Sequence, residues 1–565
     1  MKKIIKISSI IVAVSLFVSC SESFLDTENV MQKSTENFPQ NVQDAQNALT
    51  GIYSGLALTT AGVDRQSLFM VSELMSDDRL GGGGADDRYA QAVDRFLVTS
   101  GDMFNNAWAA YYKSIYRANS LLETIDMVPW TEEDMPTKEK ILGETYFLRA
   151  YFYFDLARMF GSVPLITATE RANNPKAPAD EIFAQIAEDL QQAINLLPDQ
   201  SYLAMPKTDL GRATKWAAEA LMARVFLFYT GYYQQNSLPL KSGGNISKAQ
   251  VVQWIDDCIS RSGHDLITSD FRNLWPYAYC SERGSYAQYP VSEGLKWVRE
   301  EGENVETVFA VKYSIYGSWE NFHYGNGLIV FFGLRGGDSK TLLPFNLGWG
   351  WGTVNPELMN EWPKEDPRRD ASVVDVENPN QIKGYQWNAN QNIDETGYFQ
   401  KKYVPLNVLA DDGQVKLYST ELYPGTPNNN QLGNTQDLVI IRFSDVLLMA
   451  AELGSPNGQQ YLDKVRSRVG LSPVPLTLEN IKQERRFELA FEGIRYYDLL
   501  RWHDWDRLTT NQTNIPVKDI NVAKQRSITF RAETGGFLQI PQTQIDLSEG
   551  VLTQNPGWES GQHLY

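Results

Sequence analysis

Glu484, Glu488 and Glu492 recur at four-residue spacing, which on a helix sets them in one stripe, and paired carboxylates are the equipment of glycoside hydrolases. Like charges on one stripe repel unless compensated, and Arg485, Arg486, Arg495 and Arg501 lie within one or two turns of them. The stripe therefore reads as a charged helix-packing network and not as a catalytic pair. The four histidines, His264, His323, His503 and His563, form no H-E-x-x-H pattern, and neither G-x-S-x-G nor a P-loop occurs. No catalytic residue, metal site or cofactor is nominated. The segment SDDRLGGGGADDRY gathers Asp77, Asp78, Asp86 and Asp87 around Gly81 to Gly84, oxygen donors for calcium or a polar ligand but without EF-hand spacing. Its plainer reading is a solvent-exposed flexible loop; the alternative is a ligand-contacting loop that uses Arg79 and Tyr89.

The more informative residues are aromatic. Trp319 and Tyr324 lie in SIYGSWENFHYGNG, and Trp349 and Trp351 in FNLGWGWGTVNPEL. Glycine-flanked aromatics make poor core strands. An extended backbone would turn Trp349 and Trp351 to the same side, with Gly348, Gly350 and Gly352 offering little to bury them. Flat aromatic faces stack against sugar C–H surfaces or peptide side chains, so these four are the candidate binding platform, against the alternative that they pack lobe against lobe.

At the N-terminus, Lys2, Lys3 and Lys6 precede the largely apolar run Ile7 to Val18, the pattern of a secretory signal covering residues 1–19. A helix of that run spans only about 18 Å, short of the roughly 30 Å hydrocarbon core, so it is not a permanent membrane anchor. The ending Leu16-Phe17-Val18-Ser19-Cys20 resembles a bacterial lipobox, with Phe17 in place of the usual leucine, and makes Cys20 the expected lipidation site. Acyl chains there would anchor the protein without spanning. The net charge of −18 repels phosphate backbones and argues against nucleic acid. Cys258 and Cys280 read as buried thiols, with a disulfide the less favoured alternative.

Helical periodicity marks the elements that must position these residues. Ala45, Ala48, Leu49, Ile52 and Leu56 share one face; so do Trp108, Tyr111, Ile115, Ala118, Leu122 and Ile125. GETYFLRAYFYFDLARMFGSVPLI is apolar on two adjoining faces, so its helix should be nearly buried, capped at Gly161 and stopped by Pro164. Further helices are expected in EIFAQIAEDLQQAINLL, RATKWAAEALMARVFLFYTGYY, SDVLLMAAEL and, as one run, IKQERRFELAFEGIRYYDLLRW. Successive helices suggest paired antiparallel packing of a solenoid kind. From about Asn245 to Leu438 the texture turns rich in Gly, Asn, Pro, Tyr and Trp, with short alternating stretches such as TVFAVKYSIY. The chain divides accordingly into residues 20–244, helical; 245–438, loop-rich; and 439–565, which completes the helical lobe.

Seven stretches in order, FLDTE, NALTGIYSGL, GETYFLRAYFYFDLARMFGSVPLI, GRATKWAAEALMARVFLF, FSDVLLMAAEL, ERRFELAFEGIRYYDLLRW and QNPGW, resemble the SusD/RagB family over almost the whole chain. The resemblance implies a mainly α fold, with a tetratricopeptide-like helical lobe and a loop-rich second lobe containing short strands. It implies a non-catalytic glycan-binding lipoprotein, lipid-anchored at the cell surface on the outer membrane, acting with a SusC-like TonB-dependent transporter. The family's ligand site follows a strand resembling ETVFAVKY, which raises Tyr324 and Trp349 above Trp319 and Trp351. A peptide ligand, as some members take, and a helical extracellular glycosidase remain the alternatives.

Overall fold

The computed structural model describes residues 38–170, 172–282, 294–299, 304–559 and 564–565. The leader, Cys20, FLDTE and His563 lie outside the described residues. The chain is mainly helical, and its strands occur as two-stranded antiparallel pairs.

Six long helices follow one another: α1 (Val42–Thr59), α2 (Asn105–Thr124), α3 (Met135–Phe160), α4 (Ala179–Leu196), α5 (Lys215–Tyr232) and α6 (Lys248–Arg261). Each packs on the next, the stacking expected of paired helices. Side chains start the turns: Asn41 accepts from Asp44 N on α1, Thr214 from Ala217 N on α5, and Ser247 with Gln250 forms a capping box on α6. α6 falls inside the stretch read as loop-rich, yet packs on α5 as part of the helical array. The other patterns are where periodicity put them. On α2, Trp108, Tyr111, Ile115, Ala118 and Ile125 are buried and Leu122 half-buried. α3 is buried all round from Phe147 to Phe160 and ends at Gly161 (φ 70°), and each fully buried Phe or Leu there contributes about 1.5–3 kcal/mol.

Strand β1 (Arg79–Gly82) pairs with β3 (Trp351–Val354), and β2 (Thr307–Val311) with β4 (Leu438–Arg442). The β2–β4 pair carries the loop-rich region into the helical lobe. Phe309 of β2 meets the rings of Phe147 and Tyr151 on α3, and β4 leads directly into α7 (Phe443–Glu452). α8 (Gly458–Arg468), α9 (Leu478–Glu488) and α10 (Arg495–Arg501) then close the lobe, α7 packing on α5, α6, α8 and α9. Cys258 and Cys280 are buried thiols.

The run expected as one helix over 481–502 is two. α9 ends at Glu488, and Phe491 (φ 65°) and Gly493 (φ 72°) take left-handed backbone that breaks the helix. A Cβ on Gly493 would stand 2.7 Å from the Phe69 ring, so the bend needs glycine both for its φ and for this approach. The charged network is present, but its partners come from distant segments and not from the neighbouring arginines. Glu484 pairs with Arg368 (2.5 Å) and Arg466 (2.6 Å). Glu488 meets Arg368 (3.0 Å), Arg442 (2.6 Å) and Arg468, and Glu492 meets Lys402 (2.7 Å) and Arg442 (2.9 Å). Arg485 turns instead to Asp445 and Asp498, Arg486 to Asp78 and Glu361, Arg495 to Asp77, and Arg501 to Glu452 and Asp498. The network is buried and bolts the loop-rich region to α8 and α9. Guanidinium forks suit this because they bind carboxylates in two directions at once.

Candidate functional site

The glycine-rich segment 81–84 is not an open loop. Gly82 stands opposite Trp351 in the β1–β3 register, and Gly82 and Gly83 have φ of 67° and 81°. Asp77 and Asp78 are buried in ion pairs with Arg495 and Arg486, and Asp87 accepts from Gly84 N (2.6 Å), so three of the four acids are occupied in holding the fold. No group of three or more potential metal ligands occurs among the described residues. Arg79 is fully buried, its Nε 2.6 Å from Glu73 and its Nη1 donating to Gly352 O at 2.8 Å, between the rings of Phe332 and Phe491. Burial lowers its pKa, and Glu73 opposes that shift. Arg79 is thus a buried pin between β1, β3 and the rings of Phe332 and Phe491, where the sequence placed it in a ligand-contacting loop.

Trp351 also departs from expectation. Gly350 (φ 70°) and Gly352 (φ 61°) put left-handed turns where an extended chain was expected, and the indole between them is fully buried. It stacks on Tyr89 (6.0 Å, 11°), packs on Phe331 (4.6 Å) and meets Trp349 edge-on (5.9 Å). Tyr89 is buried too, and burial pushes its phenol pKa well up. Trp349 is half-buried and forms the outer edge of this cluster.

Trp319 and Tyr324 face solvent, 67% and 42% exposed. With them stand Tyr316 (73%) and Phe322 (37%), which the sequence reading left out although they lie in the same stretch. The backbone beneath is held hard. Gly317 and Gly325 seat against the Leu432 carbonyl, where a Cβ would come within 2.2 and 2.3 Å. Asn326 N donates to Asn434 O (2.7 Å), and Ser314 N to Tyr324 O (2.7 Å). The flanking glycines thus serve close backbone packing, and that packing leaves four rings projecting from a fixed turn.

A second wall adjoins it, unsuspected from sequence. The 3₁₀ segment Ala61–Gln66 packs on the turn Phe322–Tyr324, with a Cβ on Gly62 falling 3.4 Å from His323. Within it Asp64 adopts φ 55°, ψ −127°, a costly backbone for a non-glycine residue of the kind that collects at ligand sites. Its carboxylate stands 3.8 Å from Arg65, both about half exposed, and desolvation raises its pKa although Arg65 opposes this. The Arg65 guanidinium lies 5.4 Å from the Tyr89 ring, joining this wall to the buried aromatic cluster. Tyr313 OH to Thr60 Oγ1 (2.7 Å) and Ala107 N to Gln66 Oε1 (3.1 Å) brace it. The outcome is a shallow surface of aromatic planes beside one carboxylate–guanidinium pair, able to stack on flat apolar faces and to hydrogen-bond hydroxyls.

Residues 23–227 match a family described as "Starch-binding associating with outer membrane", and residues 354–558 match the "SusD family". The chain belongs to the SusD family. A SusD-like protein of Bacteroides ovatus is 24% identical over 86% of this chain and 80% of its own length, and one of Formosa agariphila is 25% identical over 98% and 99%. Among solved structures, a laminarin-binding SusD-like protein superposes with TM-score 0.69 at 25% identity over 92% of this chain and all of its own. Surface glycan-binding protein A from Bacteroides fluxus gives TM-score 0.71 at 24% identity, covering 92% and 100%. The two solved relatives carry the names of binding proteins, and none of the four carries the name of an enzyme. No helix among the described residues is long and apolar enough to cross a membrane.

Proposed function

We propose that this chain captures glycan at the cell surface, stacking sugar rings on Trp319, Tyr324 and Trp349 without turnover, and passes it to a SusC-like TonB-dependent transporter. The observation that carries this reading is the set of four exposed rings on one clamped turn within the 245–438 region. Solvent exposure of so much aromatic surface is costly in a monomer unless a ligand covers it. Asp64 and Arg65 supply polar partners at its edge. The laminarin-binding relative supports a glycan over a peptide. In this reading Arg79, Tyr89 and Trp351 support the platform from behind.

Electrophoresis through gels containing starch, laminarin or other polysaccharides is expected to retard the chain in at least one, with no reducing ends released. Free migration through every polysaccharide would sink the glycan reading, and new reducing ends would restore the hydrolase.

An acylated Cys20 holds the chain at the outer membrane over its transporter. Mild detergent extraction of native membranes followed by affinity purification is expected to recover a TonB-dependent barrel in near-equal amount, and Cys20→Ala to move the chain out of the membrane fraction. Recovery as a lone chain in several detergents contradicts the partnership; retention of the Cys20→Ala chain on the membrane contradicts the anchor.

A further inference from the structure

A groove of about 380 Å³ runs along α2, walled on its other side by Pro164, Ile166, residues 172–174 and the short helix Gln542–Leu547. Its size falls within the range of small-molecule sites. Trp108, Tyr112 and Tyr116 recur every four residues on α2 and line it as one aromatic stripe, the first two rings 5.1 Å apart. Tyr116 is 47% exposed and Leu547, on the facing wall, 71%. The walls are tied together, since Asn173 Nδ2 donates to Ser548 O (2.6 Å) and Gln544 Nε2 to Asn105 Oδ1 (2.9 Å). Tyr112 OH donates to Pro164 O (2.8 Å), fixing the floor. The Asn174 carboxamide, at the lip, makes no hydrogen bond to a described residue.

We propose that this groove is a second saccharide subsite, which holds the same glycan chain beyond the aromatic turn. The inference rests on the glycan reading above and extends it. Aromatic faces interleaved with carboxamides are the chemistry that fits a pyranose, whose C–H face stacks while its rim of hydroxyls needs donors and acceptors. A purely apolar guest would leave the Asn174 amide desolvated and unmatched.

Placement argues for one continuous ligand. Ala107, next to Trp108, is bonded to Gln66, whose segment packs on both α2 and the aromatic turn, and within that turn burial, with Lys113 next to Tyr112 adding to it, lowers the His323 pKa. At about 100° per residue, Lys113 and Tyr116 stand about 60° apart around α2. The turn and the groove therefore flank one exposed ridge of the same helix, and an extended polysaccharide crossing that ridge meets both. Two linked contacts raise affinity for the polymer through effective concentration, with no such gain for a ligand too short to span them.

The test compares the polysaccharide that retards the unaltered chain, starch and laminarin being tried first, with the matching trisaccharide. Tyr116→Ala and Asn174→Ala are expected to weaken polymer retention by about 3- to 10-fold while trisaccharide affinity at the aromatic turn, read by calorimetry, stays unchanged. Trp319→Ala is expected to weaken both. Melting curves for the two groove variants should match the unaltered chain, since both side chains lie at the surface. Polymer retention unaffected by Tyr116→Ala and Asn174→Ala overturns the subsite, as does a parallel loss of polymer and trisaccharide. Free migration of the unaltered chain through every polysaccharide refutes the glycan reading, and the subsite with it.

Discussion

Arg442→Ala is expected to cost about 3–5 kcal/mol of folding stability, the penalty for breaking a buried ion network from one side. Arg442 is 3% exposed and meets three carboxylates at once: Glu306 (2.5 Å), Glu488 (2.6 Å) and Glu492 (2.9 Å). Removing it leaves these acids buried with fewer cations, so the loss is mainly their uncompensated charge and only secondarily the bonds themselves. The effect should depend on pH in a defined sense. Burial pushes the Glu488 pKa up, but Arg468, Arg442 and Arg368 together win and hold it well below the ordinary 4.5. A carboxylate with a depressed folded-state pKa contributes stability that is present above 4.5 and is lost as pH falls through the folded value. Deleting Arg442 removes part of that contribution, so the deficit should be fullest above pH 4.5 and shrink on acidification. Arg442→Lys keeps the charge but loses the fork, and should fall between the two. Denaturant titrations at neutral pH and near pH 4 measure this; a small deficit at neutral pH, or one that grows with acid, would show that other cations already satisfy the acids.

That network also shows where sequence ends as a guide. Four-residue spacing identified the three glutamates as structural, because compensating arginines were in sight. It assigned the wrong partners, since Arg442 is brought in by β4, Arg368 by the short helix Pro367–Ser372 and Lys402 by a loop, and periodicity cannot place these against α9. α3 was legible to its last residue because apolar side chains on two faces, a glycine and a following proline all agree. The break after Glu488 was not, for the helical pattern continues through it, and the chain bends at left-handed backbone in Phe491 and Gly493, the latter packed on Phe69. Trp351 was misread for a related reason: alternating Gly and Trp look like an exposed strand, whereas left-handed turns at Gly350 and Gly352 roll the indole onto Tyr89, far away in sequence. The exposed stretch around Trp319 and Tyr324 was found because aromatics crowded among glycines are unusual anywhere in a core. Asp64 and Arg65 gave no signal, since what sets them apart is a backbone angle and a neighbour across the fold.

Truncating the exposed rings should separate binding from folding more sharply than any other change. Binding energy concentrates in a few aromatic anchors worth roughly 1–3 kcal/mol each, so Trp319→Ala or Tyr324→Ala is expected to weaken glycan affinity by about 5- to 150-fold. Their rings project from the core, and the turn beneath is held by the Asn326 N to Asn434 O bond and by close packing of Gly317 and Gly325 on the Leu432 carbonyl, so melting temperatures should barely move. Trp349→Ala should do some of both, because its half-buried ring leans on Phe331 (4.8 Å). Trp351→Ala provides the opposite control: emptying a fully buried indole site costs about 3–5 kcal/mol of stability, and affinity changes only through the loosened support. Calorimetry with the retained glycan beside a melting curve for each variant reads the two axes. Unchanged affinity in both Trp319→Ala and Tyr324→Ala would remove the turn as the platform and move the search to Asp64 and Arg65, where the same wall remains exposed.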